Sequence, residues 1–290
     1  MSLALHSFGA KVYGISLKPY DRRGNLYKIL GLKKIIKSNY LDLRNRVKLE
    51  KKINEIKPQM IFHLAAQPLV IESYKNPIAT IESNINGLCN LLETSKKIKN
   101  LKAILNVTTD KCYENQEKGL PFKEDDKLGG LDIYSASKAC SEILTKAYYK
   151  SFFEKKINIS TARAGNIIGG GDFGDDRIIP DLVDAIINNK YLEVRSPKSI
   201  RPWQHILDVI NGYLILMTLN KILIISDNGN LIYSYSHNKD SPISIFNIQE
   251  NIYLISKQGK IFCLNTNDIY YASEYSLGSV SYTHLRAHET

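Results

Sequence analysis

Two short segments carry residues whose types and spacing suit chemistry. Asn106-Val107-Thr108-Thr109-Asp110-Lys111-Cys112-Tyr113 reads as a buried strand, Ala103 to Val107, ending in hydroxyl, acid and amine side chains. Tyr134-Ser135-Ala136-Ser137-Lys138 reads as the opening of a helix. Positions four apart on a helix share a face, so Tyr134 and Lys138 can address one substrate atom. An ammonium beside a phenol favours the phenolate, which lets Tyr134 take a proton near neutral pH. Asp110 and Lys111 add a second acid/base pair at the same strand end. Such a site can oxidise a carbinol and move a second proton. Tyr-x-x-x-Lys recurs at Tyr235/Lys239 and Tyr253/Lys257, where a strand or turn is expected and the plain reading is a solvated pair. The 134/138 copy differs because it follows the Thr-Thr-Asp-Lys strand end and opens an Ala/Ser-rich helix.

The elements that must hold these residues follow an alternating pattern. Met1 to Phe8 reads as the end of a helix stopped by Gly9, and Ala10 to Leu17 as a strand. A Lys/Glu-rich helix is expected over Asn45 to Ile56, and a strand over Met60 to Ala65. Apolar residues at helical spacing predict a helix over Ile78 to Ile98. The central strand Ala103 to Val107, a long helix Ser135 to Phe153 and a strand Ile157 to Ala162 complete the series. Strands alternating with helices imply an α/β fold with a doubly wound parallel sheet, Rossmann-like, binding ligands at the carboxyl ends of its strands. Such a domain normally begins with a strand and a Gly-rich phosphate loop. No such loop precedes the second strand here, which reads as a truncated start.

Bulk properties exclude several classes. The chain has 290 residues, 43% of them hydrophobic, enough for one large or two smaller domains. The net charge is +10, but the lysines are scattered in pairs such as Lys33-Lys34 and Lys96-Lys97, with no basic stripe interleaved with aromatics. This argues against nucleic-acid binding and suits an anionic nucleotide substrate. Cys89, Cys112, Cys140 and Cys263 lack metal-ligand spacing and read as reduced thiols of a cytoplasmic protein, with no metal site. The first ten residues do not read as a signal peptide, and the apolar run Tyr213 to Met217 is too short to span a membrane.

The motifs resemble the extended short-chain dehydrogenase/reductase family, and within it the CDP-glucose 4,6-dehydratase branch. They are Phe8-Gly9-Ala10-Lys11-Val12-Tyr13-Gly14, Asp42-Leu43-Arg44-Asn45, His63-Leu64-Ala65-Ala66-Gln67-Pro68-Leu69-Val70 and Ser73-Tyr74-Lys75-Asn76-Pro77. Further on come Thr109-Asp110-Lys111-Cys112-Tyr113-Glu114-Asn115, Tyr134 with Lys138, Arg163-Ala164-Gly165-Asn166-Ile167-Ile168-Gly169-Gly170-Gly171-Asp172 and Arg201-Pro202-Trp203-Gln204-His205. Asp-Lys-Cys-Tyr-Glu-Asn and Arg-Pro-Trp-Gln-His are the specific parts. Related dTDP-glucose dehydratases usually carry Asp-Glu where this chain has Asp110-Lys111.

The resemblance implies NAD as cofactor and a nucleotide sugar, CDP-glucose, as substrate. Tyr134, helped by Lys138, would take the C4 hydroxyl proton while Thr109 bonds the C4 oxygen. Asp110 would act as the acid of water elimination and Lys111 as the base or its partner. The product, CDP-4-dehydro-6-deoxyglucose, would feed deoxysugars for surface polysaccharide such as O-antigen. Asp42 and Leu43 would sit by the adenine, and Ala65, Ala66 and Gln67 would line the cofactor groove. Asn166, Arg177, Arg201 and His205 would hold the nucleotide diphosphate, since arginine forks match phosphate oxygens. His63 is expected to support its strand end, Asn84 to brace its helix by hydrogen bonding, and Trp203 to pack. A homodimer through Ile78 to Ile98 and Ser135 to Phe153 is also implied.

The resemblance ends near Leu216. Ile225-Ser226-Asp227-Asn228-Gly229-Asn230-Leu231-Ile232 then repeats as Ile255-Ser256-Lys257-Gln258-Gly259-Lys260-Ile261-Phe262, a period of 30 residues (259 minus 229). Strand, Gly turn and strand at this period predict a β-rich, propeller-like fragment over 221–279. Residues 280–290 read as a translated library adapter, so His284 and His288 are not a metal pair. Three readings stand: a nucleotide-sugar dehydratase piece; another epimerase or dTDP- or GDP-sugar dehydratase; and a β-repeat binding protein joined as a chimera. Without a phosphate loop, weak or absent NAD binding is expected.

Overall fold

The structure is a computed structural model describing residues 1–19, 25–115, 121–154, 156–174, 177–194 and 196–217, with six strand segments between 221 and 276. The chain divides into two units after Met217.

In the first unit, α1 (Ser2–Ser7) ends at Gly9, whose φ of 79° needs a residue without Cβ. Next come β1 (Tyr13–Ser16), the short helices α2 (Leu26–Ile29) and α3 (Leu32–Ile35), and β2 (Lys37–Tyr40), which runs parallel to β1. Asn45 caps α4 (Arg46–Ile56) by accepting the Lys48 N–H, and the helix buries Leu49 and Ile53 one turn apart. β3 (Met60–His63) leads to α5 (Val70–Lys75) and α6 (Pro77–Ile81). The helix expected over Ile78 to Ile98 is interrupted: a π-turn at Glu82–Asn86 separates α6 from α7 (Gly87–Ser95). β4 (Ala103–Val107) follows, then α8 (Ile133–Tyr148), which ends in a second π-turn at Tyr149–Phe153. β5 (Asn158–Ala162), β6 (Asn166–Ile168), α9 (Ile178–Ile187), β7 (Trp203–His205) and α10 (Ile206–Met217) complete the unit.

β4 is central and parallel to β3 and β5. Its side chains alternate between two cores, as the period of a strand requires. Ile104 packs with Leu88, Leu92, Leu101 and Phe153. Ala103 and Leu105 pack on the opposite face with Ala162, Val209, Tyr213 and Met217. A parallel sheet covered on both faces is the expected Rossmann-like α/β fold. β1–β2 forms a separate ladder. Yet Ile15 of β1 and Ile61 of β3 pack on the same Leu49–Ile53–Leu91 cluster. Among the described residues, no strand joins the two ladders.

The second unit has β8 (Lys221–Ile225), β9 (Leu231–Ser236), β10 (Pro242–Ile248), β11 (Asn251–Ser256), β12 (Lys260–Asn265) and β13 (Ala272–Ser276). β8 and β9 form a two-stranded antiparallel sheet, and β10 to β13 a four-stranded one. Both hairpins of the 30-residue repeat are present, but they sit in sheets of different size. The propeller-like reading is not supported. Alternation and turn residues specify hairpins, whereas the number of strands per sheet is a tertiary choice. The turns at 226–230 and 257–259, and residues 280–290 with His284 and His288, lie outside the described residues. Among the described residues, no helix is long and apolar enough to cross a membrane.

Candidate functional site

The end of β4 and the start of α8 meet at a cavity of about 850 Å³ lined by Thr109, Asp110, Lys111, Tyr134, Asn166, Arg177 and Arg201. Thr109 leaves β4 extended and begins a 3-10 turn, Asp110–Cys112. The turn is pinned to the segment after β5, where the Asp110 N–H donates to the Ala164 carbonyl at 3.2 Å. The Thr109 hydroxyl donates to Asp110 Oδ1 at 3.0 Å and stands beside the Tyr134 phenol. Asp132 caps α8, accepting from the Ser135 N–H at 2.9 Å and the Ser135 hydroxyl at 2.7 Å. This puts Tyr134 in the first turn, facing the strand end.

Lys138 sits behind the cavity wall, 7% exposed, with Nζ donating to the Val107 carbonyl at 3.1 Å. Burial lowers it to about 8, and Glu142 opposes that shift. Burial also raises the Tyr134 phenol above its usual value, while Thr109 lowers it; Asp110 and Asp132 add to the rise, and Arg177 offsets part of it. Lys138 is not among the groups that shift the Tyr134 phenol here. Burial works against the charged form of both groups, and the ammonium is engaged by a backbone carbonyl. His63, at the end of β3, is lowered to about 4 by burial and by Lys138, so it stays neutral and serves the strand end.

The residues expected around the cofactor sit at the ends of β2 and β3. Arg44 Nη2 lies 2.7 Å from Asp42 Oδ2 and holds the Asp42 carboxyl below its usual value. Leu43 packs beside Leu49, Ile53 and Leu91. Ala65 is exposed and Ala66 half-buried after β3. The Gln67 amide donates to Thr80 Oγ1 in α6 at 2.9 Å and to the Leu69 carbonyl of its own loop at 3.0 Å.

Asn166 opens β6 and pairs with Trp203 of β7. Arg177 Nη1 lies 3.0 Å from Asp172 Oδ2. His205 is not brought to the cavity: its Nδ1 accepts the Leu207 N–H at 3.4 Å, at the start of α10. Trp203 corrects its packing assignment, because it is 40% exposed and lines the cavity. Glu142 carries no role in the sequence reading and Arg163 only a place in its motif; nothing in their spacing signals that the two pair.

Residues 1–234 match the family model described as GDP-mannose 4,6 dehydratase. The chain belongs to this family. The match reaches beyond Leu216, where the recognisable motifs end. The chain is 42% identical over 222 residues to CDP-glucose 4,6-dehydratase of Salmonella typhimurium, covering 74% of this chain and 62% of that protein. It is 32% identical to dTDP-D-glucose 4,6-dehydratase of Dictyostelium discoideum, covering 77% of this chain and 50% of that protein. The chain thus spans about half to three-fifths of the length of these relatives. Among solved structures, UDP-glucose 4-epimerase of Thermotoga maritima superposes with a TM-score of 0.66 at 20% identity, over 76% of this chain and 70% of that one. dTDP-glucose 4,6-dehydratase of Bacillus anthracis, in complex with NAD, gives 0.63 at 24% identity, over 74% and 66%. These likenesses show the family's fold.

Proposed function

We propose that the protein acts as a nucleotide-sugar 4,6-dehydratase using NAD, with CDP-glucose as its substrate. One observation carries the reading: Thr109, Asp110, Lys111 and Tyr134 line one cavity, so an oxidising hydroxyl site and an elimination pair face the same volume. The 42% identity to a CDP-glucose 4,6-dehydratase supports the choice of substrate.

The residues present fit part of a dinucleotide site. Small, accessible Ala65 and Ala66 follow β3, and Tyr134 and Lys138 stand beside the end of β4. NAD, when bound, supplies the hydride acceptor and donor. Tyr134 takes the C4 hydroxyl proton, with Thr109 orienting both phenol and sugar oxygen. Because burial keeps the phenol protonated, Tyr134 needs added positive charge, and Arg177 acts in that direction. Once C4 is a ketone, the C5 proton is acidified. Asp110 donates to the departing C6 hydroxyl, and Lys111 is the base at C5 or the partner of Asp110. Arg177 and Arg201, which line the same cavity, suit a diphosphate.

Exposed Ile78 in α6 and Ile143 in α8 support the homodimer reading. A cytoplasmic location suits the free thiols Cys89, Cys112 and Cys140.

The test is incubation with NAD and CDP-glucose, dTDP-glucose, UDP-glucose or GDP-mannose, following the 4-keto-6-deoxy product by NMR. Product from CDP-glucose that disappears in Asp110→Asn supports the reading. C4 epimer without loss of water would replace it with an epimerase, and product from another nucleotide alone would reassign the base.

A further inference from the structure

We propose that Glu142 is a positioning residue for the Tyr134/Lys138 site, tying the helix that carries this pair to the strand ends that carry Thr109, Asp110 and Lys111. The proposal rests on the dehydratase reading above for its reaction, and on side-chain geometry for its mechanics. Glu142 is 4% exposed. Its carboxylate accepts from the Thr108 hydroxyl at the end of β4, from Thr161 Oγ1 in β5 at 2.8 Å, and from Arg163 Nη2 at 2.9 Å.

Arg163 carries the tie onward. Its Nη1 donates to Tyr113 Oη at 2.9 Å and to the Glu124 carbonyl at 2.8 Å. The guanidinium lies 4.9 Å from the Tyr113 ring centre, and that ring stacks on Phe122. Thr108 immediately precedes the Thr109–Lys111 segment, and Tyr113 immediately follows the turn Asp110–Cys112. One carboxylate on α8 thus grips the acid/base turn from both ends. Glu142, Arg163 and Tyr113 are not among the residues lining the cavity, so Glu142 works through its neighbours.

A buried ion pair kept only for stability is replaceable by apolar residues. Here the carboxylate is shared among groups adjoining the site, and Glu142 stands one helical turn beyond Lys138. The groups around Lys138 are Tyr134 and Glu142 on its own helix, the Val107 carbonyl on β4, and His63 on β3. Of these, Glu142 supports the lysine charge against burial.

Glu142→Gln keeps the shape and removes the charge. A double variant, Glu142→Gln with Arg163→Met, removes both charges and covers failure of the single variant to fold. The first readout needs no turnover: NMR titration of ¹³Cε-labelled lysine in the full chain, with the resonance assigned through Lys138→Arg. The Lys138 midpoint should fall by about one pH unit in either variant. The second readout is turnover of CDP-glucose with NAD across pH. There kcat should fall on the order of ten- to a hundredfold at unchanged KM, as expected when reacting groups are misplaced by an ångström or less. An unmoved midpoint in folded variants overturns the proposal, as does unchanged kcat in a protein that turns over. A shifted midpoint in a chain that never converts CDP-glucose supports the tie and refutes the dehydratase reading instead.

Discussion

Asn84 offers a direct test of how the site is braced. It lies in the π-turn between α6 and α7, 3% exposed. Its Oδ1 accepts the Gln67 N–H at 2.7 Å, and its Nδ2 donates to the Gln67 carbonyl at 3.1 Å and to Ser137 Oγ at 2.9 Å. The side chain thus clamps the loop after β3 to α8, next to Lys138. Asn84→Ala leaves one backbone N–H and one carbonyl without these partners, whereas Ser137 keeps its bond to the Tyr134 carbonyl. At about 1–3 kcal/mol per unsatisfied group, and with Gln67 only half-buried, the expected loss is about 2–4 kcal/mol. Asn84→Asp keeps the acceptor for Gln67 but sets a buried carboxylate against a carbonyl. Its folded-state pKa should rise, so its deficit against the native chain should grow between pH 4 and 7, on the order of one to two kcal/mol. Urea titration followed through the single tryptophan, Trp203 in the same unit, measures both, with hydrogen exchange of the Gln67 amide as the local probe. A loss below about 1 kcal/mol with unchanged exchange would mean that water replaces the carboxamide, and the clamp argument fails.

Three further outcomes follow from the geometry. His63 is neutral in the fold with its pKa lowered to about 4, so the unfolded chain binds its proton first and stability falls as pH drops from about 6.5 towards 4. The slope corresponds to about 3 kcal/mol over that window, and His63→Gln should flatten it in denaturation series. Lys138 is a desolvated cation below about pH 8. Lys138→Met should therefore melt no lower than the native chain at pH 7 while losing turnover; a melting point several degrees lower would contradict this. At Gly165, an added Cβ would stand 2.7 Å from Pro202 Cγ and 2.9 Å from the Pro202 oxygen. Gly165→Ala should push β7 off β6 at a cost of about 1–3 kcal/mol and raise KM for substrate more than it lowers kcat.

The parts of the fold that could be read in the sequence are those in which one local period decides. β4 is a short apolar run and α4 a Lys/Glu-rich stretch that Asn45 opens, so both are expected near their observed limits. α9 and α10 were not expected, and neither was the β6–β7 pair. Trp203–His205 is exposed along its length and shows no alternation; it is a strand because Gly165 lets Pro202 approach and β6 supplies a parallel partner. The π-turn at Glu82–Asn86 was hidden for a similar reason. Nothing local marks an extra residue in the helix, yet the turn holds Asn84 where it bonds Gln67 and Ser137.

The same division runs through the site. Thr109, Asp110, Lys111 and Tyr134 could be found by residue type and spacing, because a strand end and a helix start fix where their side chains go. Their protonation could not be read that way. A lysine four residues from a tyrosine suggests an activated phenol, but the effect depends on burial, which spacing does not reveal. In the fold both groups are desolvated, Lys138 is bonded to the Val107 carbonyl, and the carboxylate supporting its charge comes from Glu142, one turn further along α8. The titration of the Tyr134 phenol is therefore a property of the assembled cavity, raised first by burial, lowered by Thr109 and Arg177, and raised by Asp110 and Asp132. A variant that changes Arg177 should accordingly shift the pH profile of turnover as well as substrate affinity. A change in affinity alone would return Arg177 to simple diphosphate binding.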